Sequence, residues 1–125
     1  MDEFLYKNEA YDIQGALFEV YRTLGCGFLK AVYQKTLEVE LTQRKIPFEF
    51  QVEIEIDYKG VKLGQFYRAD LICYGKIILA VKIVQTLLRE HEAQLQNYLR
   101  ATKMRVGLRV NFGHYPKVEI KRIAI

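Results

Sequence analysis

The sequence has few cysteines and no long apolar segment. Cys26 and Cys73 are the only cysteines among its 125 residues, and neither has a histidine at a spacing typical of zinc ligands. This excludes a disulfide scaffold and a structural zinc site. The longest uninterrupted apolar run, Ile77 to Val81, has five residues, far short of a membrane span. The first residues also lack the basic and then apolar pattern of a signal peptide. We therefore expect a soluble, cytoplasmic protein without a membrane partner.

Apolar residues are plentiful. Half of the chain is hydrophobic and 13% is aromatic, which excludes a disordered chain and allows a substantial core. No stretch resembles a linker or an internal repeat. The sequence therefore predicts a single domain over residues 1–125.

The net charge of +4 is unevenly distributed along the chain. Residues 1–75 carry a balance of −3, and residues 76–125 carry a balance of +7. A basic half on a compact domain can attract a polyanion, of which nucleic acid is the commonest, although an ordinary solvated surface is the simpler interpretation. The candidate phosphate contacts are Arg89, Arg100, Lys103 and Arg105, followed by Arg109, Lys117, Lys121 and Arg122.

The hydrophobic periodicity predicts an ordered set of helices and strands. A period of 3.6 residues indicates helices over residues 11–24, 29–45 and 87–100. Alternation or continuous apolar runs indicate strands over residues 48–57, 65–74, 77–84, 106–112 and 118–125. The order α-α-β-β-β-α-β-β predicts an α/β (mixed α+β) domain, with a mixed sheet flanked by helices.

Several polar and ionisable residues that could form a catalytic site fall near the middle of the predicted sheet. Asp70 lies late in the second strand, and Lys82 lies in the third strand, twelve residues later. Gln94 and Tyr98 are four residues apart on the following helix, so they share one face, which His91 extends. Taken alone, each has an ordinary structural explanation. Lys82 can extend from a strand end to water, His91 can be a satisfied helix residue, and Gln94 and Tyr98 can cap the core with polar tips.

The ordered set resembles the PD-(D/E)XK nuclease superfamily, with its restriction-endonuclease-like core. More specifically, the chain is similar to the small bacterial GxxExxY proteins of that superfamily. The resemblance extends over residues 13–123 and rests on several segments quoted from the sequence: Leu24-Gly25-Cys26-Gly27, residues 58–64, Tyr67-Arg68-Ala69-Asp70-Leu71, the apolar strand ending in Lys82, residues 91–99 and Asn111-Phe112-Gly113.

The resemblance implies a metal-dependent nuclease site. In that superfamily an Asp, here Asp70, and an acid two residues before the Lys hold Mg²⁺ or Mn²⁺, and hard carboxylate oxygens suit such ions. The metal and the Lys, here Lys82, stabilise the phosphoryl charge and activate a water for phosphodiester hydrolysis. Gln94 and Tyr98 match the Gln-x-x-x-Tyr motif of RecB-type nucleases, which supports the metal site.

This chain departs from the pattern at its acids. Ala80 stands two residues before Lys82, and Lys30 stands where the GxxExxY motif has its Glu, three residues before Tyr33. Gln85 also replaces a frequent acid. The changes at positions 80 and 30 make the pocket more positive by about three charges, so Asp70 alone is expected to bind a divalent ion weakly. The pocket then suits a phosphate, or Lys30 pairs with Asp70. Glu19 is a possible supporting neighbour, and Tyr33 is expected in the core.

Three functions remain open from the sequence. The first is a nuclease-fold protein with a degenerate site that binds DNA, RNA or a phosphorylated ligand and needs no cofactor. The second is an active Mg- or Mn-dependent nuclease that recruits Glu19, Glu92 or a partner's acid. The third is a non-catalytic interaction module, with a homodimer as one form.

Overall fold

In the part of the chain that the structure describes, five strands and three helices follow one another in the predicted order. A computed structural model describes residues 5–125. The helices are α1 (Lys7–Leu24), α2 (Lys30–Gln43) and α3 (Arg89–Thr102). The strands are β1 (Phe48–Tyr58), β2 (Val61–Cys73), β3 (Ile77–Lys82), β4 (Val106–Asn111) and β5 (Glu119–Ala124). The predicted mixed α+β architecture is confirmed. No helix in the described part of the chain is both long and apolar enough to cross a membrane.

The five strands form one mixed sheet in the order β1-β2-β3-β4-β5. Only β3 and β4 run parallel, and every other neighbouring pair is antiparallel. A parallel pair needs a long crossover, and α3 supplies it. The central position of β3 explains its apolar run, because residues 77–81 are buried by covering layers on both faces.

The helix ends differ from the prediction by up to four residues, at the start of α1, and two strand boundaries differ by two residues or more. The β1–β2 hairpin closes at Lys59 and Gly60, which both have positive φ angles of 51° and 82°, so β2 begins at Val61 rather than at residue 65. Such a pair of residues makes the tight two-residue turn that fits the twist of a hairpin. β3 ends at Lys82 rather than at residue 84, because the Val84 N–H donates to the Asn111 side chain (3.0 Å) instead of continuing the ladder.

The sheet separates two hydrophobic clusters. The first lies under α1 and α2 and joins residues such as Leu17 and Leu37 to Leu79 of β3. The second lies under α3 and joins Leu95 and Leu99 to its own set of sheet residues. Helices thus cover both faces of the sheet centre.

The β1–β2 hairpin passes from the first hydrophobic cluster to the second at Gln51, which has a φ angle of 52°. Before this residue, Phe50 packs against the first cluster, and after it Val52 packs against the second. On the partner strand, the pairing of β2 with β3 ends at Leu71 and Leu79. The distal hairpin therefore lies over α3, and β2 separates from β3 at Asp70.

Candidate functional site

Asp70 lies where β2 leaves β3, and its carboxylate accepts three hydrogen-bond donors. Oδ2 accepts the backbone N–H of Val81 (2.7 Å). Oδ1 accepts the side-chain amide of Gln34 (3.1 Å) and lies 2.9 Å from Lys30 Nζ. The carboxylate thus replaces the missing strand partner of Val81 and is neutralised by an ammonium group. The Lys30–Asp70 pair is one of the two arrangements that the sequence suggested.

Lys30 and Gln34 reach Asp70 from the first turns of α2. They are four residues apart, which places both side chains on the same helix face. Tyr33 fixes the start of this helix, because its hydroxyl donates to the carbonyl of Gly25 and its ring stacks on Phe112 with a centroid separation of 4.6 Å. Tyr33 is fully buried, as expected for a core residue.

Lys82 and Gln94 form the second polar contact of the site. Lys82 Nζ donates to Gln94 Oε1 at 2.6 Å, which connects the end of β3 to α3. Burial lowers the pKa of Lys82, the nearby charge of Lys30 lowers it further, and Asp70 opposes both effects. Lys82 is therefore electrostatically linked to the pair formed by Lys30 and Asp70.

Tyr98 lies on α3, one turn beyond Gln94 and near Asp70. It is 8% exposed, and its ring lies 5.5 Å from the ring of Tyr67 on β2. Burial raises the pKa of Tyr98, and the charges of Asp70 and Tyr67 add to the effect. We use the name site group for Lys30, Gln34, Asp70, Lys82, Gln94 and Tyr98.

Three other candidates have partners elsewhere. Glu19 pairs with Arg22 at 2.5 Å on its own helix and also accepts the hydroxyl of Thr23. His91 Nδ1 accepts the backbone N–H of Leu88 (2.9 Å), so it closes the first turn of α3. Glu92 lies 3.5 Å from Lys121.

The candidate cations separate into exposed and buried ones. Arg89, Arg100, Lys103 and Arg105 are exposed along α3 and the segment after it. The expectation that Arg109 is a surface cation is wrong, because it is 6% exposed. Its guanidinium lies 3.7 Å from Glu92 and donates to the carbonyl of Leu88 (3.4 Å), which explains how a charge is tolerated there.

The sequence analysis did not identify Gln34 as a donor to Asp70, nor the contact between the rings of Tyr67 and Tyr98. Gln34 is 7% exposed, and the signal was its position four residues after Lys30 on one helix face. Tyr67 was part of the motif before Asp70, but alternation along a strand does not tell which helix its ring meets.

The donors around Asp70 do not fit a hard divalent cation. Such an ion takes six or more oxygen ligands, whereas Asp70 is surrounded by N–H groups that use its lone pairs. Position 80 contributes a methyl group that packs in the second cluster. Within residues 5–125, no group of three His, Cys, Asp or Glu side chains is placed to hold a metal ion. The neighbours of Asp70 are instead donors, because the Lys30 ammonium and the Gln34 amide contact its Oδ1, while the Lys82 ammonium is bound to Gln94 Oε1.

Comparison with known proteins gave a family and a fold. A family model described as the PD-(D/E)XK nuclease superfamily matches residues 7–123. The crystal structure of SSO0001 is similar to this chain, with a TM-score of 0.61 and 25% sequence identity. The likeness covers 75% of this chain and 48% of SSO0001, so the chain spans about half the length of that protein. No curated protein matches the sequence.

Proposed function

This chain belongs to the PD-(D/E)XK nuclease superfamily, and we propose that it is a member with a degenerate metal site that binds phosphate groups instead of hydrolysing phosphodiesters. We further propose that it is one of the GxxExxY proteins. The ligand is nucleic acid or another phosphorylated molecule. Nucleic acid is favoured by the basic second half of the chain, with a balance of +7 over residues 76–125.

The ion pair between Lys30 and Asp70 carries the proposal. Its 2.9 Å separation puts a cation against the one acid that the motif retains. Because Ala80 supplies no second carboxylate, metal chemistry at this position lacks its ligands. Lys82, with Lys30 nearby, remains available to contact a phosphate oxygen.

Two assays test the proposal. Supercoiled plasmid incubated with Mg²⁺ or Mn²⁺ should stay intact, with the Asp70→Asn variant as the matched control. Nicking by the wild-type protein that Asp70→Asn abolishes would establish an active nuclease and overturn the proposal.

The second assay measures DNA and RNA binding across a salt series. The logarithm of the binding constant should fall linearly with the logarithm of salt concentration. Lys82→Ala should reduce the slope by about one, while Lys35→Ala, on the exposed part of α2, should leave it unchanged. Binding that is absent or insensitive to salt would favour a protein-interaction module. Equal affinity for inorganic phosphate and for a long strand would indicate a small phosphorylated ligand.

A further inference from the structure

The ring of Tyr67 is a partly exposed aromatic surface beside the site group. Tyr67 is three residues before Asp70 on β2 and is 50% exposed. One part of the ring contacts Tyr98, with 5.5 Å between the centroids and 52° between the planes. The other part is open to solvent. Half of this large aromatic side chain is therefore exposed beside charged groups.

Two cavities meet at Tyr67, where the distal hairpin crosses α3. The first, of about 220 Å³, is lined by Tyr67, Tyr98, Gln94 and Asn97, together with Glu90. The second, of about 330 Å³, is lined by Tyr67 and Asn97 again, with Arg100 and Asp57. Both cavities therefore combine an aromatic wall with side-chain amides and charged groups.

The first cavity is continuous with the site group through Gln94. Gln94 lines this cavity, and its Oε1 accepts the Lys82 ammonium at 2.6 Å. Arg100 lines the second cavity, where it donates to Asn97 (3.3 Å). A cation in one cavity and a cation bound to a wall of the other suit a nucleic-acid strand, in which phosphates alternate with bases.

The residues that line the two cavities suit a nucleobase. Aromatic rings stack on the faces of bases, and amides or carboxylates, here Asn97, Glu90 and Asp57, bond to base edges. In a duplex the base faces are covered by neighbouring pairs, so only an unpaired base can stack on Tyr67. We infer that Tyr67, with Tyr98 and Asn97, forms a stacking site for an unpaired nucleobase, and that the chain binds single-stranded nucleic acid in preference to a duplex. This inference rests on the proposed function, because Lys82 and Arg100 would hold the flanking phosphates.

Fluorescence anisotropy of a labelled oligothymidylate tests the stacking site. Loss of one base–aromatic stack by truncation to alanine weakens binding by about 5- to 150-fold, and this is the effect expected for Tyr67→Ala. Tyr67→Phe keeps the ring and should bind as the wild type does. Tyr115→Ala is the matched control, because Tyr115 is 77% exposed and lines neither cavity.

An abasic strand of the same length separates stacking from phosphate contact. Wild type and Tyr67→Ala should bind this strand equally, because it offers phosphates without bases. Wild-type protein should also bind oligothymidylate more tightly than a duplex of the same length. If Tyr67→Ala binds oligothymidylate as tightly as the wild type does, with the salt dependence intact, the stacking site is refuted and the phosphate-binding function stands. Tighter binding to the duplex would likewise refute the stacking site alone. If no strand binds in a salt-dependent manner, both proposals fail.

Discussion

Replacing Asp70 with alanine should destabilise the fold, because the carboxylate is a structural acceptor in this protein. The substitution removes a group whose side chain is 17% exposed and which accepts the N–H of Val81 and the amide of Gln34. Both donors belong to buried residues. An acid kept for a metal alone would be costly to bury, so its removal would be neutral or stabilising.

The magnitude follows from the three donors taken separately. A buried backbone N–H left without an acceptor costs about 1–3 kcal/mol, and loss of the Gln34 hydrogen bond costs about 0.5–1.5 kcal/mol. Lys30 is 41% exposed on its side chain, so loss of its ion pair contributes only about 0–1 kcal/mol. Allowing for water that enters the vacated space, we expect Asp70→Ala to lower the free energy of unfolding by about 2–4 kcal/mol. That is a large share of the 5–15 kcal/mol typical of a domain.

Urea denaturation followed by circular dichroism measures this change. The matched control is Lys30→Met, which removes the cation but keeps both donors paired and should cost less than about 1 kcal/mol. If Asp70→Ala is as stable as the wild type or more stable, the carboxylate is not satisfied by these donors and the reasoning is refuted. An equal loss in both variants would instead assign the stability to the ion pair.

Three further predictions concern the neighbourhood of the site. Because the pKa of Lys82 is lowered in the folded state, the folded protein binds fewer protons than the unfolded chain between that pKa and the ordinary value of about 10.4. The free energy of unfolding therefore rises with pH in this window. The Lys82→Met substitution should remove that rise when unfolding by urea is measured at several pH values. Burial raises the pKa of the Cys73 thiol to about 12, so a disulfide reagent should modify exposed Cys26 alone until urea is added. Gly113→Ala should cost about 1–3 kcal/mol in the same denaturation assay, because its Cβ would lie 2.6 Å from the carbonyl oxygen of Val84.

Each of these predictions has its own contradicting result. If the free energy of unfolding depends on pH in the same way for the wild type and Lys82→Met, burial does not disfavour the charged form of Lys82. Two fast-reacting thiols in the folded protein would place Cys73 at the surface. Gly15→Ala is the control for Gly113→Ala, since its Cβ would meet only the flexible side chain of Arg44, at 3.0 Å. Equal stability of these two variants would contradict the close backbone approach at Gly113.

Much of the fold could be predicted because its periodicity is unambiguous. The three helices and five strands follow from apolar spacing, and the continuous apolar run of β3 indicated its central place. The cluster change at Gln51 could not be predicted, because Phe48 to Ile56 alternates without interruption and a positive φ at a glutamine leaves no sequence signal. The sequence also gave no signal that the Asp70 carboxylate accepts the backbone N–H of Val81, because this contact depends on where β2 separates from β3.

The candidate site was predictable where residues share one element. Gln94 and Tyr98 were placed on one face by helical spacing. The Lys30–Asp70 pair joins α2 to β2, and the sequence offered it only as one of two arrangements. Contacts between elements were not predictable in this way. The sequence could not tell whether Glu19 faces the pocket, and it gave no reason for Arg109 to be buried under Glu92, since both depend on how α1 and α3 dock on the sheet.

Titration calorimetry with Mn²⁺ tests the central claim most directly. Lys30, Asp70, Ala80 and Lys82 carry a formal charge of +1, and we predict no saturable Mn²⁺ uptake by the wild-type protein. The Lys30→Glu/Ala80→Glu double variant changes this charge to about −2 and supplies three carboxylates, so it should bind Mn²⁺, with circular dichroism to verify that it is folded. Uptake by the wild type that Asp70→Asn abolishes, or no uptake by the folded double variant, would contradict the account.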